Sequence, residues 1–212
     1  MRLYLASTSP ARLATLRAAG VEPLAVPPHV DEDSLVSAVE AEHGPLDAPR
    51  MVGLLARAKA EAVAGKPHDG APIDGLILGG DSAFLFDGTI YGKPHLPEAA
   101  RERWRRQRGR SGQLWSGHWL IDHRGGRPGR AVGANAVAVV SFADPDDAEI
   151  DAYVASGEPL EVAGAFTIDS LGGPFIRSVD GDPSTVVGLS LSTLRDLVRE
   201  LGIDWPALWN RG

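Results

Sequence analysis

Asp81 is the residue whose setting most invites chemistry. It ends the run Asp74-Gly-Leu-Ile-Leu-Gly-Gly-Asp81, in which residues 76–78 form a short apolar stretch bounded by glycines. Such a stretch reads as a buried strand that delivers a carboxylate to a sheet edge, where catalytic groups of α/β proteins sit. Downstream, residues 84–86, Asp87-Gly88 and residues 89–91 read as a β-hairpin with a two-residue turn. That hairpin is expected to return Lys93, in Gly92-Lys93-Pro94, to the side of Asp81. Only Lys59, Lys66 and Lys93 are lysine in a chain that otherwise uses arginine, which hints at compact point charges.

Other groups could join this pair. Ser7-Thr-Ser9-Pro10-Ala11-Arg12 follows an apolar start and precedes Leu13 and Leu16. Ser9 suits an N-cap and Pro10 the first helical position, so a helix should begin here. Its free N–H groups with Ser7, Ser9 and Arg12 would make an anion site, and plain capping is the competing reading. Asp31-Glu32-Asp33 places three carboxylates in a loop, a set that suits a hard cation such as Mg²⁺, although acidic loops are usually only solvated. Cations gathered around one or two carboxylates are what metal-assisted attack on a polyphosphate requires.

The elements that must position these groups can be read coarsely. Residues 3–6 form a first strand and residues 40–48 a polar connection. Residues 49–64 are the clearest helix, with Met51, Leu54, Leu55, Ala58 and Ala62 as its stripe and Lys59 beside it. Residues 113–121 and 131–141 read as long strands joined by a flexible loop. Asp144-Pro145 opens a helix that runs to Gly157, and residues 165–168 and 175–179 are short strands. Gly181-Asp-Pro183 is a turn, a last helix stops at Gly202, and Trp205 and Trp209 should pack on the body.

Several chemistries are excluded. Residues 88–94 have too few positions between glycines, and a proline where a phosphate-binding loop needs a hydroxyl. No nucleophile elbow or dinucleotide fingerprint is present, and no histidine pair is spaced for zinc. His29 and His118 read as structural. Without cysteine there is neither disulfide nor thiolate chemistry. At 212 residues, 43% hydrophobic and 23% charged, the chain has the make-up of one soluble enzyme domain. No apolar run approaches a membrane span and no signal peptide is visible, so a cytoplasmic location is expected.

The net charge of −7 speaks against a general nucleic-acid binder. Six arginines between residues 101 and 110 run against that balance. They read as a solvated helix face with Trp104 on the buried side, or else as a polyanion patch.

The short motifs, taken together and in order, resemble the Maf family of nucleoside triphosphate pyrophosphatases. They are Leu-Ala-Ser7-Thr-Ser9-Pro10-Ala-Arg12, Val30-Asp31-Glu32, Leu55-Ala-Arg-Ala-Lys59-Ala, Gly80-Asp81-Ser82, Gly92-Lys93-Pro94, Gly109-Arg-Ser-Gly112, Ala163-Gly-Ala-Phe-Thr-Ile168 and Asp182-Pro-Ser-Thr-Val-Val-Gly-Leu189. They span almost the whole chain, and Gly-Gln-Leu-Trp-Ser-Gly-His118 looks like the actinobacterial branch. The resemblance implies one α/β domain, residues 1–212, with a twisted mixed sheet in an elongated fold and two lobes around a central cleft. It implies hydrolysis of an NTP between the α and β phosphates with Mg²⁺ or Mn²⁺, as house-cleaning of the nucleotide pool. By matching position Asp81 would accept the proton, Glu32 and Asp81 would hold the metal, and Ser7, Ser9, Arg12, Lys59 and Lys93 would bind the triphosphate.

Ala11, Ser82 and Asp169 match the positions that line the family's base pocket, and there this chain departs from the familiar patterns. Asp169 keeps an acceptor that could pair with a guanine-like N–H edge, and Ala11 removes a side chain. The pattern leans away from strict dTTP/UTP selectivity, and no base is assigned. Whether the chain forms a homodimer is left open. A second reading is a nucleotide- or nucleic-acid-binding regulator of cell division using the arginines of residues 101–110. A third is a phosphatase removing the terminal phosphate.

Overall fold

The computed structural model describes residues 1–210. Its frame is one seven-stranded mixed sheet. The strands are β1 (Leu3–Ala6), β2 (Leu24–Ala25), β3 (Gly75–Phe86), β4 (Thr89–Tyr91), β5 (Ser111–His123), β6 (Ala131–Phe142) and β7 (Ile176–Asp180). Their order is β2-β1-β3-β5-β6-β7, with β4 paired to β3 off this path. β1 runs parallel to β2 and β3, and every other pairing is antiparallel. Among the described residues seven α-helices flank the sheet: α1 (Pro10–Ala18), α2 (Glu32–His43), α3 (Ala48–Ala64), α4 (Pro97–Gln107), α5 (Asp147–Ala155), α6 (Pro183–Val187) and α7 (Leu191–Glu200). The two-residue turn at Asp87-Gly88 has positive φ at both positions (50° and 74°), as a tight hairpin following the strand twist requires.

The long strands β3, β5 and β6 are shared by two lobes, each with its own core. In the first, Leu3, Leu5, Leu76 and Leu78 pack under α1 and α7 on one face. Tyr4 and Ile77 pack under Ala60 and Val63 of α3 on the other. In the second, Phe84, Phe86, Leu114 and Phe142 bury against Trp104 of α4 and Ile150 and Tyr153 of α5. Both cores are aliphatic or aromatic runs from the same strands, which is why one sheet can hold two lobes.

Several expectations change. β3 is a single 12-residue strand, so Asp81 lies in its middle and not at its end. The carboxylates of residues 31–33 open α2, with Asp31 as N-cap accepting from Ser34 N–H. That helix takes in residues 40–43 of the polar connection expected at residues 40–48. A helix start and an acidic loop use the same residues, and only the weak apolar pattern of residues 35–39 distinguished them; no α2 residue is buried. In α3 the buried stripe is Val52, Leu55, Ala56, Lys59, Ala60 and Val63, so Lys59 lies within it and not beside it. Asp146, not Asp144, caps α5, through a capping box with Glu149. Residues 165–168 form no strand. Pro183 starts α6, a short helix where a turn was expected, and Asp182 is its N-cap. Trp205 packs against the first core, whereas Trp209 is 58% exposed.

Candidate active site

The site follows from a gap in the sheet. β5 pairs with Gly75–Leu85 along one edge of β3. On the other edge β1 covers Leu76–Gly79 and β4 covers Phe84–Phe86. Residues 80–83 therefore have no strand on that side. Into this break run the end of β1, the Ser7–Ser9 turn and the start of α1.

On one face of β3 stands Asp81. Glycine at positions 79 and 117 lets α3 lie almost on the sheet: a Cβ at Gly79 would come within 2.0 Å of the Ala56 carbonyl, and one at Gly117 within 2.2 Å of that of Val52. Gly117 is the direct cross-strand partner of Asp81. This close crossing brings Lys59 to the carboxylate, with Nζ 2.7 Å from Asp81 Oδ1 and 2.9 Å from Glu32 Oε1. Lys59 and Asp81 are 7% and 8% exposed, so the pair is buried, whereas Glu32 on the first turn of α2 is half exposed. Burial raises the Asp81 carboxyl above its ordinary range, against the opposite pull of Lys59 and Arg12. Asp81 Oδ2 carries no hydrogen bond among the described residues and is left for a water or ligand.

On the other face stands Arg12, also buried. Its Nε donates to the Gly188 carbonyl at 2.8 Å, Nη1 to Ser7 Oγ at 3.1 Å and Nη2 to Ser82 Oγ at 2.9 Å. All three acceptors are neutral, so the guanidinium keeps its charge uncompensated by direct contact. Desolvation lowers its pKa, and the fields of Asp81 and Glu32 oppose that. Ser9 caps α1 through the Arg12 N–H, and Ser7 Oγ also accepts from the Ser9 N–H at 3.1 Å. Thus capping and a cationic pocket are one structure here, and Arg12 is not a surface residue.

The remaining expected residues lie further out. Lys93 is half exposed, and its ammonium faces Glu161 at 3.8 Å, not Asp81. The β3–β4 register runs back toward residue 82, but β4 stops at Tyr91. Gly92 is then held aside by Arg103, which donates to its carbonyl at 2.6 Å. Ala11 is half buried on the first turn of α1, its carbonyl accepting from Thr15 Oγ1 at 3.0 Å. Ser82 Oγ is occupied by Arg12 and by Ser116 Oγ at 3.0 Å. Asp169 is exposed in a loop held by Glu158, which accepts from Thr167 Oγ1, Ser170 Oγ and the N–H groups of Leu171 and Gly172.

Ser116, Asp182 and Gly188 escaped residue-level reading of the sequence. Serines and a glycine carry no spacing signal, and the Asp182–Leu189 motif was the one sign that something lay there. The arginines of residues 101–110 are largely neutralised. Arg101 pairs with Asp151, Arg105 and Arg108 with Asp147, and Arg110 with Asp87. Trp104 is buried and donates to the Ala165 carbonyl.

For a divalent cation the donor set is two carboxylates, Glu32 and Asp81, whose oxygens already converge on one Lys59 nitrogen. No group of three or more His, Cys, Asp or Glu is arranged for a metal among the described residues. Two carboxylates with room for phosphate oxygens and water suit Mg²⁺, which dehydrates reluctantly and is seldom caged by protein alone.

An open mixed sheet flanked by helices, with a buried acid–lysine pair where one edge of β3 lacks a pairing strand, defines an α/β protein. Comparison with known proteins makes the assignment specific. Residues 2–201 match the family model described as Maf-like protein, and the chain belongs to the Maf family. A protein of Leifsonia xyli subsp. xyli named nucleoside triphosphate pyrophosphatase is 76% identical over 211 residues, covering 100% of this chain and 98% of its own. Proteins of the same name from Salinispora tropica (50% identical; 100% and 89% covered) and Saccharopolyspora erythraea (47%; 99% and 97%) follow. The solved Staphylococcus aureus Ham1 protein overlays 68% of this chain and 73% of its own at a TM-score of 0.39 and 13% identity, a likeness too slight to carry weight.

Proposed function

We propose that the protein is a cytoplasmic nucleoside triphosphate pyrophosphatase that cleaves the α–β phosphoanhydride of an NTP to NMP and pyrophosphate. Clearing non-canonical or modified nucleotides is its proposed role. The observation that carries this is the placing of Lys59 between Asp81 and Glu32 at the unpaired edge of β3, with Arg12 around the corner. A polyanion drawn to that edge meets two buried cations, the Ala11 N–H in the first turn of α1 and the Ser7 hydroxyl. Lys59 and Arg12 neutralise charge that spreads over phosphoryl oxygens as the bond breaks. Lys93, just past β4, would meet the outer end of a triphosphate on leaving its loose contact with Glu161.

In this reading Asp81 is the general base, with Oδ1 fixed by Lys59 and Oδ2 turned to the attacking water. Its burial brings the carboxyl nearer to the proton affinity that base catalysis at neutral pH favours. Glu32 and Asp81 would hold a Mg²⁺ or Mn²⁺ ion. When bound, that ion supplies Lewis-acid polarisation of the phosphate oxygens and charge neutralisation. Ala11 and Asp169 are proposed to border the base, with Ser82 acting there through its bond to Arg12.

The test is a panel of canonical and modified NTPs with Mg²⁺ or Mn²⁺ and separate detection of both phosphate products. Pyrophosphate with NMP is expected. Orthophosphate as the first product, or no turnover across the panel, overturns the proposal.

A further inference from the structure

Arg12 is held by a part of the chain 176 residues away, through the Gly188 carbonyl. That carbonyl lies at the end of α6, where Gly188 turns with φ 109°. What fixes the turn is Asp182. Its Oδ1 accepts from the Ser184 N–H (2.9 Å) and hydroxyl (2.6 Å). Its Oδ2 accepts from the Ser190 hydroxyl (2.8 Å) and from the Ser192 N–H (3.2 Å) and hydroxyl (2.8 Å). One carboxylate therefore ties the start of α6 to the start of α7 and closes the segment that carries Gly188. Ser184 Oγ adds a second tie by accepting from the Leu191 N–H at 2.9 Å, and the buried His118 accepts from the Ser190 N–H at 2.9 Å. These donors hold the Asp182 carboxyl at about 2, against the upward push of its burial.

Stability alone would not need the loop to end on a guanidinium. A buried arginine can swing through several rotamers, and here its Nε–H is fixed by one backbone oxygen while Ser7 and Ser82 take one N–H each. The two remaining guanidinium donors are thereby left in a set direction for a phosphate. We propose that Asp182 is a positioning residue for substrate binding: by closing residues 182–192 on themselves it holds the Gly188 carbonyl where it orients Arg12 toward the phosphates. This rests on the reading of Arg12 as a phosphate ligand given above.

The experiment is a double-mutant cycle of Asp182→Asn and Arg12→Lys, read by kcat and KM for an NTP the wild type hydrolyses. Calorimetric binding of inorganic tripolyphosphate and thermal melting are measured on the same four proteins. Lysine keeps the charge but cannot form the guanidinium fork. Asp182→Asn is expected to lower kcat/KM about 10- to 100-fold, mostly through KM, as misplacement of a binding group by about 1 Å does. In the Arg12→Lys background the same change should cost less than about threefold, and tripolyphosphate affinity should follow the same pattern. An equal factor in both backgrounds, or a lower melting temperature with unchanged kinetics, shows a merely structural role and overturns the proposal. Should Asp182→Asn not fold, Ser184→Ala replaces it in the same cycle and is judged by the same criterion. Tripolyphosphate binding that depends on both residues, in a protein that cleaves no NTP, would fault the proposed reaction alone; NTP cleavage indifferent to Asp182 would fault this inference alone.

Discussion

A buried carboxylate paired with a buried lysine is an unusual residue to place mid-strand, and its proton affinity has consequences in two directions. Burial raises Asp81. In the metal-free protein its titration midpoint should therefore lie above the ordinary carboxylate range of about 4. A carbon-13 NMR titration of the metal-free protein measures this, and a midpoint at or below that range would argue against burial as the controlling influence. For stability the sign is opposite to that of most acids. The folded state holds the proton more tightly than the unfolded chain, so the contribution of Asp81 is fully present below 3.8 and lost as pH rises through the folded value. The melting temperature of Asp81→Asn relative to wild type should therefore shift in favour of the variant between pH 4 and pH 7. Asp81 drew attention through the short apolar run before it, although the strand runs on through it to Phe86; its partner Lys59 was legible only as a lysine near a stripe. The burial of Lys59 within that stripe depends on glycines in other strands, which local periodicity does not register.

At the scale of elements, the position of Lys59 is set by how closely α3 can approach β3 and β5. Gly117→Ala would drive a methyl group into the Val52 carbonyl. Overpacking of this kind costs about 1–3 kcal/mol. Activity should drop with stability, because α3 must lift and take Lys59 with it. Gly65 has open space around it and φ −91°, so Gly65→Ala should leave both within about 0.5 kcal/mol and normal rates. Equal melting and kinetics for the two variants would refute the close-crossing argument. The loop bearing Asp169 hangs on Glu158. Burial alone would raise this acid, yet bonds from Ser170, Thr167 and the Leu171 and Gly172 amides hold it at about 2. Its contribution is present above 4.5 and is lost as pH falls toward 2. Glu158→Gln should lower stability at pH 7 by about 1–2 kcal/mol after solvent screening, and flatten acid unfolding over that window. Chemical denaturation at several pH values would reveal an unchanged acid limb if the loop were held otherwise. The strand expected at residues 165–168 does not form: Ala163–Ala165 make a 3₁₀ turn in which Ala165 has φ 64°, and the Thr167 hydroxyl bonds to Glu158.

For the whole molecule, the long central strands and the hairpin were largely readable, because apolar runs and turn residues agree there. The distribution of charge was not. Arginines that crowd one helix in sequence find Asp147, Asp151 and Asp87 across it, so a cluster that suggested a polyanion patch is mostly spent on internal pairs. Long-range pairing of this kind has no local signature. Arg12, buried beside the unpaired edge of β3, is held by neutral acceptors alone, and the proposed reaction is placed at that edge. The most direct check is the rate of pyrophosphate release from a turned-over NTP by wild type and by Asp81→Asn, at saturating metal and with both proteins shown to be folded. The expected result is stoichiometric NMP and pyrophosphate from the wild type and a rate about 10²–10⁴ lower in the variant. A folded Asp81→Asn enzyme that releases pyrophosphate at the wild-type rate would contradict it.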